Sequence, residues 1–220
     1  MNIRLITVTL LLTLSPWAVP ALSQELLTNP TFDTDIDGWT TDGTGPGTIS
    51  WEAGQGQPPG ALSFPDFDQQ ATTQECWQTQ AGNYTLRSDA YMQTSGDFLE
   101  CSINLFRYQE PNCSGNATPI VVAGAPSISI PNSWQSLELI TEVTPSDLNS
   151  GNFSGIRPML SKQSDLQAND ACLYDNVSLT FTPPPAPPVP APTSGLFGLA
   201  LLCALLGVVG LTALRRGQGG

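Results

Sequence analysis

Apolar and polar side chains alternate along residues 83–93. Tyr84, Leu86, Ala90 and Met92 fall on one side of an extended chain, and Thr85, Arg87, Asp89 and Gln93 on the other. A period of two over this length predicts a strand with one buried face. Leu99, Cys101, Ile103 and Leu105 repeat the pattern. Residues 134–143 and 173–181 continue it, the last with Leu173, Val177, Leu179 and Phe181 as its apolar positions. Gly96, Pro111-Asn112, Pro131-Asn132 and Gly151-Asn152 punctuate these runs with turn-forming residues. No segment between residues 24 and 181 carries a 3.6-residue period. Short strands separated by turn signals predict an all-β sandwich, with Trp39 and Trp134 in its core.

The two ends follow other patterns. Arg4 precedes an apolar run over residues 5–14, and Ala21-Leu22-Ser23 places small residues at the positions read by a signal peptidase. Residues 1–23 therefore read as an export signal forming a signal helix, cut between Ser23 and Gln24. Residues 182–193 include seven prolines among twelve positions, a composition that favours extended polyproline II and predicts a semi-rigid stalk. Residues 196–214 carry no charge and are followed at once by Arg215-Arg216. Nineteen residues at about 1.5 Å each nearly match a hydrocarbon core of about 30 Å, so residues 194–214 are expected to form a transmembrane helix. The basic tail, residues 215–220, is then cytoplasmic and the domain lies outside.

Charge and cysteine content narrow the picture. Residues 24–181 hold all 19 acidic side chains and only four basic ones, Arg87, Arg107, Arg157 and Lys162, for a charge of about −15. Such a domain does not bind nucleic acid. Cys76, Cys101, Cys113 and Cys172 form an even set in the exported domain, while Cys203 lies in the apolar run. Four cysteines in an oxidising compartment predict two disulfides, with three connectivities open. Zinc is excluded by the spacing and by the absence of histidine. The same absence removes Ser-His-Asp and Cys-His catalysis, and the single lysine has no S-x-x-K partner. No catalytic residue is assigned.

Four motifs in order bring in a resemblance. They are Asn29-Pro30-Thr31-Phe32-Asp33 with Gly38-Trp39, then Gly82-Asn83-Tyr84-Thr85-Leu86, Trp134-Gln135-Ser136-Leu137, and Tyr174-Asp175-Asn176-Val177-Ser178-Leu179. Together they resemble galactose-binding-like jelly rolls of the carbohydrate-binding-module type. The resemblance implies a jelly-roll β-sandwich over residues 24–181. It also implies a structural calcium ion between a first-strand acid and a final-strand aspartate, positions that match Asp33 and Asp175. The run from Asp33 to Gly38 imitates half of an EF-hand loop, but Thr44 stands where the bidentate glutamate is needed. A pairing of Cys76 with Cys172 follows from where the resembled fold places these segments. Cys101 with Cys113 completes the set, because Pro111-Asn112 can turn the intervening chain back.

The tail carries a second resemblance. Val189-Pro190-Ala191-Pro192, an apolar helix and Arg215-Arg216 resemble the bacterial PEP-CTERM sorting signals, in which V-P-E-P is usual; here Ala191 replaces the glutamate. The resemblance implies an exosortase as partner beside the signal peptidase. It further implies inner-membrane anchoring, followed by release to the cell surface or extracellular matrix.

Sugars stack on exposed aromatic faces flanked by polar groups. Trp51, Trp77, Tyr91 and Tyr108 are the candidates, with Gln78, Gln93 and Asn104 near them in sequence. The reading that results is a surface-displayed, non-catalytic binding or adhesion module for exopolysaccharide or matrix glycans. A purely structural envelope protein and a polysaccharide hydrolase are the competing readings.

Overall fold

The computed structural model describes residues 22–41, 48–65, 69–93, 99–120, 125–128, 130–150, 154–164 and 171–187. The chain divides into two units, residues 1–184 and 185–220, and only 185–187 of the second are described. Most of the expected signal helix, the sorting motif Val189 to Pro192, the expected membrane helix and the basic tail lie outside the described residues. Among the described residues, no helix is long and apolar enough to cross a membrane.

The elements run β1 (Gln24–Glu25), β2 (Trp39–Thr41), β3 (Ser50–Glu52), β4 (Ala61–Phe64), β5 (Gln69–Thr73), β6 (Trp77–Gln78), β7 (Gly82–Gln93), β8 (Leu99–Tyr108), β9 (Ala117–Pro119), β10 (Ser127–Ile128), β11 (Trp134–Val143), α1 (Pro145–Asn149), β12 (Gly155–Ser164) and β13 (Ala171–Thr182). Two antiparallel sheets form. The first has the order β11-β7-β13-β4-β3, with β1 also on β13. The second has the order β10-β8-β12-β5-β2, with β6 on β12 and β9 on β8.

The alternating runs explain the long strands. β7 buries Tyr84, Leu86, Ala90 and Met92, and β8 buries Cys101, Ile103 and Leu105. Across the gap stand Leu62, Phe64, Tyr174, Val177 and Leu179 of the first sheet, and Ala71, Ile128 and Leu160 of the second. Burying each such aliphatic or aromatic side chain contributes about 1.5–3 kcal/mol. The Phe64 and Tyr174 rings meet edge to face at 5.4 Å, and Phe32 meets Trp39 the same way at 5.5 Å.

β12 has no counterpart in the sequence reading, although it sits in the middle of the second sheet. Its inward set includes Pro158 and Lys162, which interrupt the apolar alternation. The strand survives because its neighbours supply the polar contacts. The Thr72 hydroxyl donates to the Pro158 carbonyl at 2.7 Å. Lys162 is buried at 2 % exposure, its Nζ 3.5 Å from the Pro65 carbonyl. A short helix, α1, was also not expected. Thr144 caps it by accepting from the Asp147 amide, and Asp147 returns the bond to the Thr144 amide at 2.8 Å.

The disulfides correct the expected pairing. Cys76 joins Cys113 and Cys101 joins Cys172, each with Cα atoms 5.7 Å apart. The expected Cys101–Cys113 bridge fails because residues 101–108 stay extended in β8, carrying the chain roughly 23 Å away from Cys101 before it turns. Cys101 points inward from β8 and meets Cys172, which points inward from β13, so this bridge crosses the sandwich. Cys113 instead lies beside Cys76, and both sulfurs crowd Gly155, where a Cβ would come within 2.9 and 3.0 Å of them.

Trp134 is a second correction. It is half-buried on the outer face of the first sheet, paired in register with Tyr91, rather than in the core.

Candidate functional site

The four candidate aromatics do not converge. Trp51 lies on the edge strand β3, 39 % exposed, its indole N–H donating to the Phe32 carbonyl at 2.7 Å. Trp77 is half-buried on β6 and packs against the core. Tyr91 belongs to the outer face of the first sheet, where its ring lies 5.5 Å from that of Trp134. Tyr108 is on the second sheet, buried to 4 % exposure with the Arg157 guanidinium 5.6 Å above its ring. Trp77 and Tyr108 flank the same strand, yet their registers with Ile156 and Gly155 put them on opposite faces.

The outer face of the second sheet gathers the largest set of sugar-compatible groups. Cys101, Ile103 and Leu105 point inward, so Glu100, Ser102, Asn104, Phe106 and Tyr108 of β8 point outward. Cross-strand register adds Arg157, Ser161 and Gln163 of β12 and Gln70 of β5; Met159 and Thr72 share this side of the sheet but are buried. The Ser102 and Ser161 hydroxyls touch at 2.7 Å. The Arg157 guanidinium also donates to the Gln74 carbonyl at 3.1 Å, which fixes it over Tyr108. A hollow of about 290 Å³ lined by Gln70, Ser161, Lys162 and Gln163 opens at one end of this face, and Phe106 stands toward the other, with Tyr108 buried near it beneath Arg157. Among the outward positions of β5, β8 and β12, only Glu100 is a carboxylate. Of the aromatic candidates Tyr108 shares this side of the sheet but is buried, and Asn104, near it in sequence, points outward; which face Phe106, Gln70 and Arg157 share is shown only by cross-strand register.

The expected metal pair lies elsewhere, at a junction below the first sheet. β13 breaks register against β7 between Asp175 and Ser178, and Asn176 takes a positive φ of 49° there. This turns the fully buried Asp175 carboxylate toward residues 54–60, where it accepts from the Gln57 amide at 2.5 Å and the Asn176 amide at 2.7 Å. Gly60, at φ 128°, lets this segment touch Phe32 and Asp33, since a Cβ would collide with the Phe32 carbonyl. Burial pushes the Asp175 carboxyl up from its ordinary value, the two amides oppose it, and Asp89 and Asp33 raise it further. The segment that bonds Asp175 through Gln57 also touches Asp33 at Gly60, and carboxylate oxygens are the ligands calcium takes. Among the described residues no group of three or more His, Cys, Asp or Glu could hold a metal.

No protein-family model and no curated protein sequence matches the chain. Solved structures do match its fold. The C-terminal family 22 carbohydrate-binding module of Clostridium thermocellum Xyn10B superposes with a TM-score of 0.50 at 11 % identity, covering 72 % of this chain and 94 % of that one. The tandem family 22 modules of Paenibacillus barcinonensis Xyn10C give 0.50 at 16 % identity, covering 69 % and 49 %. A family 61 module solved with β-1,4-galactotriose gives 0.47 at 15 %, covering 71 % and 97 %. The domain is therefore an all-β, two-sheet antiparallel sandwich resembling the carbohydrate-binding-module jelly rolls. Its two disulfides fit an extracytoplasmic location.

Proposed function

We propose that the chain is an exported, non-catalytic polysaccharide-binding module whose ligand lies along the outer face of the second sheet, across β5, β12 and β8. The observation that carries this reading is the run of outward amide, hydroxyl and aromatic groups on adjacent strands, from Gln70, Gln163 and Ser161 through Ser102 and Asn104 to the half-buried Phe106. The fold likeness agrees with it. Amides and hydroxyls match vicinal sugar hydroxyls, and the half-buried Phe106 offers a ring at one end. Titrating the protein with xylohexaose and β-1,4-galactotriose, backed by a glycan array, tests it. Binding to at least one glycan is expected, weakened about tenfold or more by Asn104→Ala with Gln70→Ala at unchanged melting temperature. No binding to any glycan would leave the structural envelope reading; release of reducing ends would favour the hydrolase.

We also propose that the module is exported by the signal of residues 1–23, cut before Gln24. It is then anchored by residues 194–214 until a sorting protease acts near Val189 to Pro192. The described chain joins the first sheet at Gln24, the residue expected to start the mature protein. Mass spectrometry of the cell-associated and released protein tests this reading. It fails if mature molecules retain residues 1–23. Intact Arg215-Arg216 termini throughout would replace sorting with a plain anchor. Calcium between Asp33 and Asp175 is part of the same proposal, with a role in tying the first segment to the last strand.

A further inference from the structure

The outer face of the first sheet carries a second cluster that the reading above does not use. Tyr91 and Trp134 pair in register, their rings 5.5 Å apart and inclined at 45°. The Tyr91 hydroxyl lies 3.4 Å from the Asn132 side-chain oxygen, which positions the ring at the end of the strand. Two residues along β7, roughly 7 Å away, a cavity of about 380 Å³ is lined by Arg87, Asp89, Ser136, Glu138, Asn176 and Ser178. Its polar groups are held before any ligand arrives. Ser136 donates to one Asp89 oxygen at 2.5 Å and Asn176 donates to the other at 3.0 Å. The bulge that gives Asn176 its positive φ also lets its amide donate to the Gln57 carbonyl at 2.9 Å, locking its orientation. Arg87 is paired with Glu138 across the strands.

We propose that this face is a second saccharide site, so that one molecule holds two glycan chains on opposite sides of the sandwich. One sugar ring stacks on Tyr91 and Trp134, and its neighbour places hydroxyls in the cavity. There Asp89 and Glu138 accept, Arg87 donates, and the serine hydroxyls do either. Among the described residues each carboxylate oxygen of Asp89 accepts from one side chain, Ser136 or Asn176, and has a further lone pair for a sugar hydroxyl. Fixed partners lower the ordering cost of binding. The occupant is a neutral or amino sugar chain rather than an anionic one, since two carboxylates face the groove against one guanidinium that is already paired. The proposal rests on the glycan-binding reading for its ligand class, but not on the face assigned there.

The test is isothermal titration of the full chain with xylohexaose and β-1,4-galactotriose, following in parallel the part of the tryptophan fluorescence change that Trp134→Phe removes. The wild type should bind two ligands per molecule. Asn104→Ala with Gln70→Ala should leave one site, and adding Tyr91→Ala should remove it, a loss of about tenfold or more. Ser136→Ala serves as a milder second variant, and melting temperatures show that each folds. One ligand per molecule, abolished by Asn104→Ala with Gln70→Ala and untouched by Tyr91→Ala, would overturn this site and leave the other standing. One ligand abolished only by Tyr91→Ala would support this site and overturn the other face. No binding to either probe or to a glycan array overturns both.

Discussion

The Tyr174 hydroxyl, carried by β13 in the first sheet, donates to the Ser161 carbonyl of β12 in the second at 2.6 Å, with the Ser102 carbonyl of β8 at 3.1 Å. A buried side chain from one layer thus satisfies backbone acceptors of the other. Burial pushes the phenol well above its ordinary value near 10.

Removing that hydroxyl should cost stability without touching either candidate face. Tyr174→Phe keeps the ring against Phe64 but leaves two buried carbonyls short of a partner. The expected loss is about 1–3 kcal/mol. Urea unfolding of the two proteins measures it. A variant as stable as the wild type would show that those carbonyls find other donors.

The disulfides should differ in weight. Cys101–Cys172 closes a separation of 71 residues and Cys76–Cys113 one of 37. On the chain-entropy model these contribute about 4.4 and about 3.8 kcal/mol. Cys101→Ala with Cys172→Ala also opens space in the core, so it should be clearly the more damaging pair. Non-reducing peptide mapping should recover both linkages. Finding Cys101 joined to Cys113 would contradict the extended course of β8.

How much of this was legible in the sequence depends on the range of the interaction. Strand existence is local, and the alternation around Leu86, Ile103 and Leu139 announced it. β12 was hidden because Pro158 and Lys162 are tolerated by tertiary contacts, with Thr72 and Pro65, that no local pattern contains. Partnerships across sheets were beyond reach for the same reason. Cys101 and Cys172 meet because two strands from different layers both turn those positions inward. Tyr91 and Trp134 form one surface only because β7 and β11 pair in the register that opposes them. Asp175 stands out in its motif, whereas its contact with Gln57 depends on a segment over a hundred residues earlier in the chain.

The Asp175 carboxyl supplies a prediction with a definite sign. Its folded value is raised above the ordinary 3.8, so the folded protein holds this proton more tightly than the unfolded chain does. The stability this group contributes is fully present below the unfolded value and is lost as pH rises through the folded one. In EDTA, the stability advantage of wild type over Asp175→Asn should therefore shrink from pH 4 upward until the carboxyl is fully ionised. Urea midpoints across pH 4–8 measure it. Adding calcium should stabilise the wild type at neutral pH and leave the variant nearly unchanged; equal responses would remove Asp175 from any cation site.

The position of β13 has a mechanical meaning. It pairs with β7 on one side and with β1 and β4 on the other, and the proline-rich residues 183–187 continue directly from its end. Tension arriving from that side pulls along the strand axis, so the flanking hydrogen bonds are loaded together in shear instead of being peeled one after another. Should the strand still slip, its opposite end remains tethered, because Cys172 is covalently joined to β8. A load applied at the C-terminal end of β13 would thus stretch only the residues beyond Cys172 before it passes through the disulfide to the second sheet.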